Sequence, residues 1–433
     1  MLEKYALCDH CLGRQYALLG HKLNNAERGR ALKIALTLDA HAQSTTSKTE
    51  AARRLRAVAA NGFHEPAQLV LKTMKKPCPA SPEKCFLCED MFQYVNVLAG
   101  KALCLLENFE HNTFLVGIEL PVEIVEREDE LKAEFEVNAG ENMRNEFGRL
   151  IGKIIAEKDG KEVDFKRPEV VVLAKPFDGE VRLQVNSLFI AGRYKKLTRG
   201  IPQSKWYCSS CHGRGCDKCD GTGKMYAESV EEIIGKPTLE VTGGTKTSFH
   251  ASGREDIDAR MLGNGRPFVI EISKPKKRFI NLDRLQEAIN TSSKDRVNVS
   301  KLRIADKGTV RTLKKGESTQ KEYRVTIQFA DKITAKDLKT IKDELTNIVV
   351  HQKTPNRVLH RRADLMREKY IYEVNVKKLT PQKAEMKIRC QGGLYVKELV
   401  SGDGGRTSPS VTEILGNEAK PVKLDVLKII MQD

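Results

Sequence analysis

Apolar positions along this chain follow different spacings in different stretches. From residue 1 to about 100 they recur with helical periodicity, and the run ends in the proline- and cysteine-rich KKPCPASPEKCFLCED. From about 101 to 185, strand-like and helix-like segments alternate. FLVGIELP reads as a strand, RNEFGRLIGKIIAEK as an amphipathic helix, and DGKEVDFKRPEVVVLAKPFDGEVRLQV as a turn followed by two strands. Beyond about 186, EYRVTIQFA places Tyr323, Val325, Ile327 and Phe329 on one face, and YIYEVNV, LTPQ and AEMKIRC read as strand, turn and strand. The expected fold class is α/β (α+β). It comprises a helical block over 1–100, a mixed block over 101–185, and a domain over 186–433 whose mixed sheet is largely antiparallel.

A chain of 433 residues is long for one core, in keeping with several blocks. No apolar run approaches the roughly 18 residues that a membrane span needs. The opening MLEKYALCDHCLGRQ lacks a secretory h-region with a small-residue cleavage site, so a cytoplasmic chain is expected. Lysine and arginine number 74 against 58 acids, a net charge of +16. Such a surplus favours a polyanionic partner, nucleic acid before membrane.

Eight of the eleven cysteines fall in C-x-x-C pairs: Cys8/Cys11, Cys85/Cys88, Cys208/Cys211 and Cys216/Cys219. In a reducing compartment these suggest structural zinc, one ion or two, rather than disulfides. The last two pairs lie within YCSSCHGRGCDKCDGTGK, where glycine-rich turns leave backbone amides free to bond thiolate sulfurs. This segment, 208–223, reads as an insertion. Its rhythm resembles the cysteine-rich repeats of Hsp40 chaperones, but no HPD tripeptide accompanies it. The first two pairs are distant in sequence and would meet only if the ends of the 1–100 block come together. Cys78, Cys104 and Cys390 read as buried or incidental thiols.

Two further stretches are rich in charge. NSLFIAGRYKKLTRGIPQSKW interleaves Phe189, Tyr194 and Trp206 with five cations, a mixture suited to phosphate contact and base stacking, or equally to a basic loop with buried aromatics. ASGREDIDARMLGNGRPF holds three acids and three arginines between glycines; Asp256 and Asp258 are two apart, as are Arg254 and Asp256, neither at the i, i+4 offset, and the stretch reads as a loop that gathers charge at one spot. No G-x-G-x-x-G follows a strand and no G-x-x-x-x-G-K-[ST] occurs, so no nucleotide cofactor is expected.

The helix, the V-D-x-x-x-P-E turn and the strand hairpin of the 101–185 block together resemble a THUMP domain, an RNA-binding module that grips tRNA ends. CLGRQ, RYKKLTRGIPQSKW, SGREDIDARMLGNGRPF and GGLYVKELVSGDGGRTSPSV, occurring in that order, resemble the archaeal tRNA pseudouridine synthases that modify the adjacent uridines 54 and 55 of the TΨC loop. The resemblance spans nearly the whole chain. It implies an isomerase with tRNA as partner and no organic cofactor, working as a monomer.

The family's Gly-Arg-x-Asp pattern falls on Gly253 to Asp256, which implies Asp256 as the catalytic carboxylate, with Asp258 as second choice. Either route open to it, attack at C1′ or removal of a sugar proton to form a glycal, needs the carboxylate charged inside an enclosed pocket. Burial alone opposes that, so a cation must stand close. The resemblance offers Lys397 for that place, Tyr323 to stack on the base, and Val396, Leu424 and Tyr395 to line the pocket. Arg254 would hold the opened RNA loop. The basic TPNRVLHRRADLMREK reads either as a solvated helix or as a backbone clamp in which Arg357 and Arg361 grip phosphates along the tRNA, whereas Arg260 and Arg266 would serve the fold of the charged loop. A non-catalytic, zinc-containing tRNA-binding or chaperone protein is the alternative. Other THUMP enzymes would need an S-adenosylmethionine loop or an SGGxDS-like signature, and the sequence has neither.

Overall fold

The computed structural model describes residues 1–314 and 319–430, with the side chains of Lys314 and Arg361 outside the description. The chain forms two compact units, Met1–Asn186 and Ser187–Asp433.

In the first unit, helices Asn25–Gln43, Lys48–Ala60, Glu65–Thr73 and Val95–Leu106 precede a four-stranded sheet. Its strands are β1 (Thr113–Ile118), β2 (Glu162–Val163), β3 (Val170–Lys175) and β4 (Glu180–Val185), in the order β2-β1-β3-β4. β1 runs parallel to β2 and β3, and the β3–β4 hairpin is antiparallel. Strand alternation buries Val170, Val172 and Ala174 of β3. Helix Met143–Asp159 buries Met143, Phe147, Ile151 and Ile155, four apart each time, so one stripe faces the core. Each such side chain contributes about 1.5–3 kcal/mol by leaving water. That helix begins on a buried carboxylate. Both oxygens of Glu128 accept the Met143 amide at 3.1 Å, and the buried Arg14 guanidinium pairs with the same acid.

The second unit is built on a ten-stranded sheet. In chain order its strands are β5 (Leu188–Lys196), β6 (Lys246–Ala251), β7 (Arg260–Ser273), β8 (Val297–Ala305), β9 (Gln320–Phe329), β10 (Ile348–Lys353), β11 (Met366–Thr380), β12 (Lys383–Gln391), β13 (Thr407–Ser408) and β14 (Ala419–Ile430). They run in space as β13-β10-β11-β12-β9-β14-β7-β5-β8, with β6 on β7. Every pairing is antiparallel except β14–β7, a two-residue parallel contact between Asp425–Val426 and Arg260–Met261. At this thin junction the ladder gives way to loop 252–259, which joins β6 to β7.

The alternation expected of EYRVTIQFA holds. Val325, Ile327 and Phe329 are buried, and Tyr323 on the same face is half-buried. β11 and β12 form the expected antiparallel pair. NSLFIAGRYKKL departs from the reading as a nucleic-acid surface. It is the interior strand β5, in which Tyr194 and Lys196 are fully buried. TPNRVLHRRADLMREK is not a helical face either: it makes a short 3-10 turn, Asn356–Arg361, and then enters β11.

Candidate active site and metal centres

Loop 252–259 is held mainly by groups that do not face solvent. Lys196 is fully buried on β5, and its ammonium donates to the carbonyls of Ile201 (2.8 Å), Asp256 (3.1 Å) and Ile257 (3.0 Å). Burial pulls this ammonium down to about 8, against the opposing pull of Glu255 and Asp258. Glu255 turns inward, accepts from Tyr194 Oη at 2.9 Å, and meets Arg266 Nε at 2.9 Å. Arg266 in turn donates to the Ser252 carbonyl at 2.6 Å. Burial works against the Arg266 charge, but Glu255 outweighs it and holds the guanidinium above its ordinary value. The charged loop thus divides its residues. Glu255, Arg260 and Arg266 brace the fold, while Asp256 is left at the edge of a cavity.

That cavity, of about 580 Å³, lies against loop 252–259, β9, the start of helix Val396–Ser401 and β14. Asp256 Oδ1 faces Arg357 Nη1 at 3.2 Å, and Oδ2 faces Lys397 Nζ at 3.3 Å. Neither cation is closest to Asp256. Lys397 lies 2.7 Å from both oxygens of Asp258, and Arg357 Nε lies 2.6 Å from the buried carboxylate of Glu398. The two flanking acids therefore draw the cations back, so Asp256 is compensated without being saturated. Burial pushes the Asp258 carboxyl up, but the Lys397 ammonium prevails and holds it below its usual value. The Arg357 guanidinium is opposed by burial and stabilised more strongly by Glu398 and Asp256, so it stays raised.

Tyr323, Val396 and Leu424 line the same cavity, as do Arg254 and Tyr395. Tyr323 stands on β9 opposite Ile388 and Val426 of the neighbouring strands. Burial pushes its phenol above the ordinary tyrosine value. Arg254 lies over the Trp206 ring, 5.2 Å from its centroid, and Trp206 is another lining residue. Tyr395 Oη accepts from Arg362 Nη1 at 2.8 Å.

Arg357, expected on a phosphate clamp, stands in the short 3-10 turn and lines the cavity. Its fork is engaged by Glu398 and Asp256, because the three-residue period of the 3-10 turn sends successive side chains in different directions. The Arg361 side chain, assigned to the same clamp, lies outside the described residues. Sequence reasoning missed Lys196, whose loop-holding contacts are with backbone carbonyls, and Glu398, which a run of mixed polarity gave no reason to bury.

A family model described as "Pus10, C-terminal" matches residues 189–430, and one described as "Pus10 THUMP domain, archaeal" matches 98–175. The chain is 45% identical to the tRNA pseudouridine synthase Pus10 of Methanocaldococcus jannaschii, over 99% of its own length and 93% of the relative's. This chain belongs to the Pus10 family. Proteins of the same name from Methanothrix thermoacetophila (40% identity, 98% and 91% coverage) and Pyrococcus furiosus (38% identity, 99% and 96% coverage) match with similar completeness.

In this Pus10-family chain the eight paired cysteines form two clusters, each with its four sulfurs within 4.8 Å of one another. Cys8 caps the helical turn Asp9–Gly13, which carries Cys11, and they meet Cys85 and Cys88 with a Cys8–Cys88 sulfur separation of 3.6 Å. In the other cluster Cys208–Cys216 and Cys211–Cys219 are each 3.8 Å apart. A tetrahedron with Zn–S bonds of about 2.3 Å has edges of about 3.8 Å, so both clusters have the size for zinc. Amides supply further stabilisation for thiolates: Cys8 to Cys85 Sγ, Gly215 to Cys211 Sγ and Gly223 to Cys219 Sγ, at 3.1–3.3 Å. The Cys208 amide bonds the Gly223 carbonyl at 2.8 Å and closes the base of the insertion. Of the remaining cysteines, Cys390 is buried and Cys78 and Cys104 are exposed. Among the described residues no helix is long and apolar enough to cross a membrane.

Proposed function

We propose that this chain isomerises uridine to pseudouridine in tRNA, at the adjacent positions 54 and 55 of the TΨC loop. The observation that carries the reading is Asp256, which borders a cavity between Arg357 and Lys397 with Tyr323 on the wall. The C1′–N1 bond breaks and a C1′–C5 bond forms, while the C5 proton is exchanged for one on N1. Atoms and electrons balance without an oxidant, so the chain needs no organic cofactor.

In this reading Asp256 acts on the ribose as nucleophile or base. Lys397 and Arg357 compensate its charge, and Val396 and Leu424 flank the uracil. The raised phenol of Tyr323 favours a neutral ring that stacks on the base. The uridine is everted from the folded arm at a cost of a few kcal/mol, and Arg254 on Trp206 is placed to occupy or grip the opened loop. Each cysteine cluster would hold one structural zinc, giving two equivalents per chain by metal analysis; fewer would remove a cluster from this reading. The partner is tRNA, the working unit is a monomer, and the compartment is the cytoplasm. Incubation with an unmodified tRNA transcript, followed by position-resolved detection, tests the activity. Wild type is expected to give pseudouridine at both positions and Asp256→Ala at neither. No product from wild type would end the proposal.

A further inference from the structure

Beside the cavity lies a second hollow of about 500 Å³, and Gly253, Lys321, Arg362, Gly393 and Tyr395 border both. Arg367 and Lys369 join its lining, which among the described residues contains no carboxylate. This sets it apart from the first cavity, where Asp256, Asp258, Glu255 and Glu398 answer Lys397, Arg357 and Arg266. Among the described residues Lys321 and Lys369 have neither a hydrogen bond nor an ion pair from their ammoniums. Arg362 and Arg367, among the described residues, donate only to neutral oxygens, Tyr395 Oη at 2.8 Å and Thr354 Oγ1 at 2.8 Å with the Leu365 carbonyl at 3.2 Å. Asp364, which feels the field of Arg367, is already paired with Arg406.

Backbone shape makes room for the lysines. Gly253 has φ +76°, and a β-carbon there would lie 3.1 Å from Lys321 Nζ. Gly393 has φ +94°, and a β-carbon there would lie 3.2 Å from Lys369 Cε. A side chain at either glycine would be strained and would crowd an ammonium. Burial pulls the Lys321 ammonium down to about 8, and the cations Arg266 and Lys369 add to that pull, so an anion entering the hollow would relieve an existing cost. The hollow touches Gly253, three positions before Asp256. An RNA strand whose base enters the first cavity therefore carries its backbone past the second.

We infer that this hollow, with Lys321 and Lys369 at its wall, receives a backbone phosphodiester adjacent to the everted uridine. The inference rests on the tRNA reading above and assigns that reading its anion receptor. Two ammoniums meeting a monoanionic phosphodiester give a salt-dependent contact that is indifferent to base identity.

Filter binding of the full chain to a tRNA transcript at several salt concentrations tests this. Lys321→Gln and Lys369→Gln are each expected to weaken Kd by about tenfold and to lower the log K against log salt slope by about 1, while Lys321→Arg keeps both near wild type. On the RNA side, a methylphosphonate at one phosphate flanking the target uridine is expected to weaken wild type by about tenfold and to add little to the loss in Lys321→Gln. Thermal melting checks that the variants fold, and the methylphosphonate series on wild type stands if they do not. Unchanged affinity and slope in both folded glutamine variants would overturn the inference. So would flanking methylphosphonates that leave wild-type binding intact, or that weaken wild type and Lys321→Gln equally. If binding and coupling appear but wild type makes no pseudouridine, the receptor stands and the enzymatic reading falls.

Discussion

Asp256 and Asp425 are both aspartates held by cations near one cavity, and they are held in opposite ways. Asp425 is almost fully enclosed. Arg260 meets its two oxygens at 2.9 Å each, Arg324 adds a contact at 2.9 Å, and Arg199 completes the set. Burial opposes its charge, but Arg260, Arg324 and Arg199 prevail and the carboxyl is pulled down to about 2. Asp256 keeps a third of its side chain accessible (33%), and its two cations stand back at 3.2 and 3.3 Å because Glu398 and Asp258 claim them more closely. A carboxylate whose lone pairs are all used can brace a sheet but has nothing left for a substrate. One that is balanced at arm's length retains a direction in which to react.

Exchanging the two losses gives the largest contrast. Asp256→Asn is expected to lower kcat by about four orders of magnitude while thermal melting moves by no more than about 2 °C. Asp425→Asn leaves three arginines facing a neutral group, and denaturant titration is expected to show a loss of about 3–5 kcal/mol. A stable Asp425→Asn protein without activity would break the comparison.

The next effect is smaller. Arg357→Gln removes one of the two balancing charges and is expected to lower kcat by about a hundredfold, with Arg357→Lys recovering part of it. An equal loss of stability in both variants would instead put Arg357 with the bracing residues.

The smallest effect is on acid unfolding. The folded carboxyl of Asp425 lies below its ordinary 3.8, so its contribution is present above that value and disappears as pH falls towards about 2. Asp425→Asn should therefore flatten the stability profile between those limits, by at most about 1.4 kcal/mol per pH unit. Urea midpoints across that range measure it.

Where the sequence was legible, the signal was local. The alternation of EYRVTIQFA marked β9 and the inward face of Tyr323, because strand periodicity depends on nothing outside the strand. Mixed charge crowded between glycines marked loop 252–259, and paired cysteines marked both clusters. What stayed hidden depends on partners far away in the chain. Lys196 gained its place only when a carbonyl 60 positions on came within reach, and Arg357 only when Glu398, 41 positions on, was buried beside it. A basic run gives no sign of which arginine will turn inward, and RYKKL looked like a surface because its two innermost polar groups, Tyr194 and Lys196, find their partners in loop 252–259.

The grip of Lys196 has a practical consequence. It fastens on carbonyl oxygens, so it holds residues 256 and 257 whatever side chains they bear. Swapping the carboxylate for an isosteric amide would leave the main chain where it was. An inert decoy built this way should capture an intact RNA for crystallography, with the unreacted nucleotide frozen in its pose.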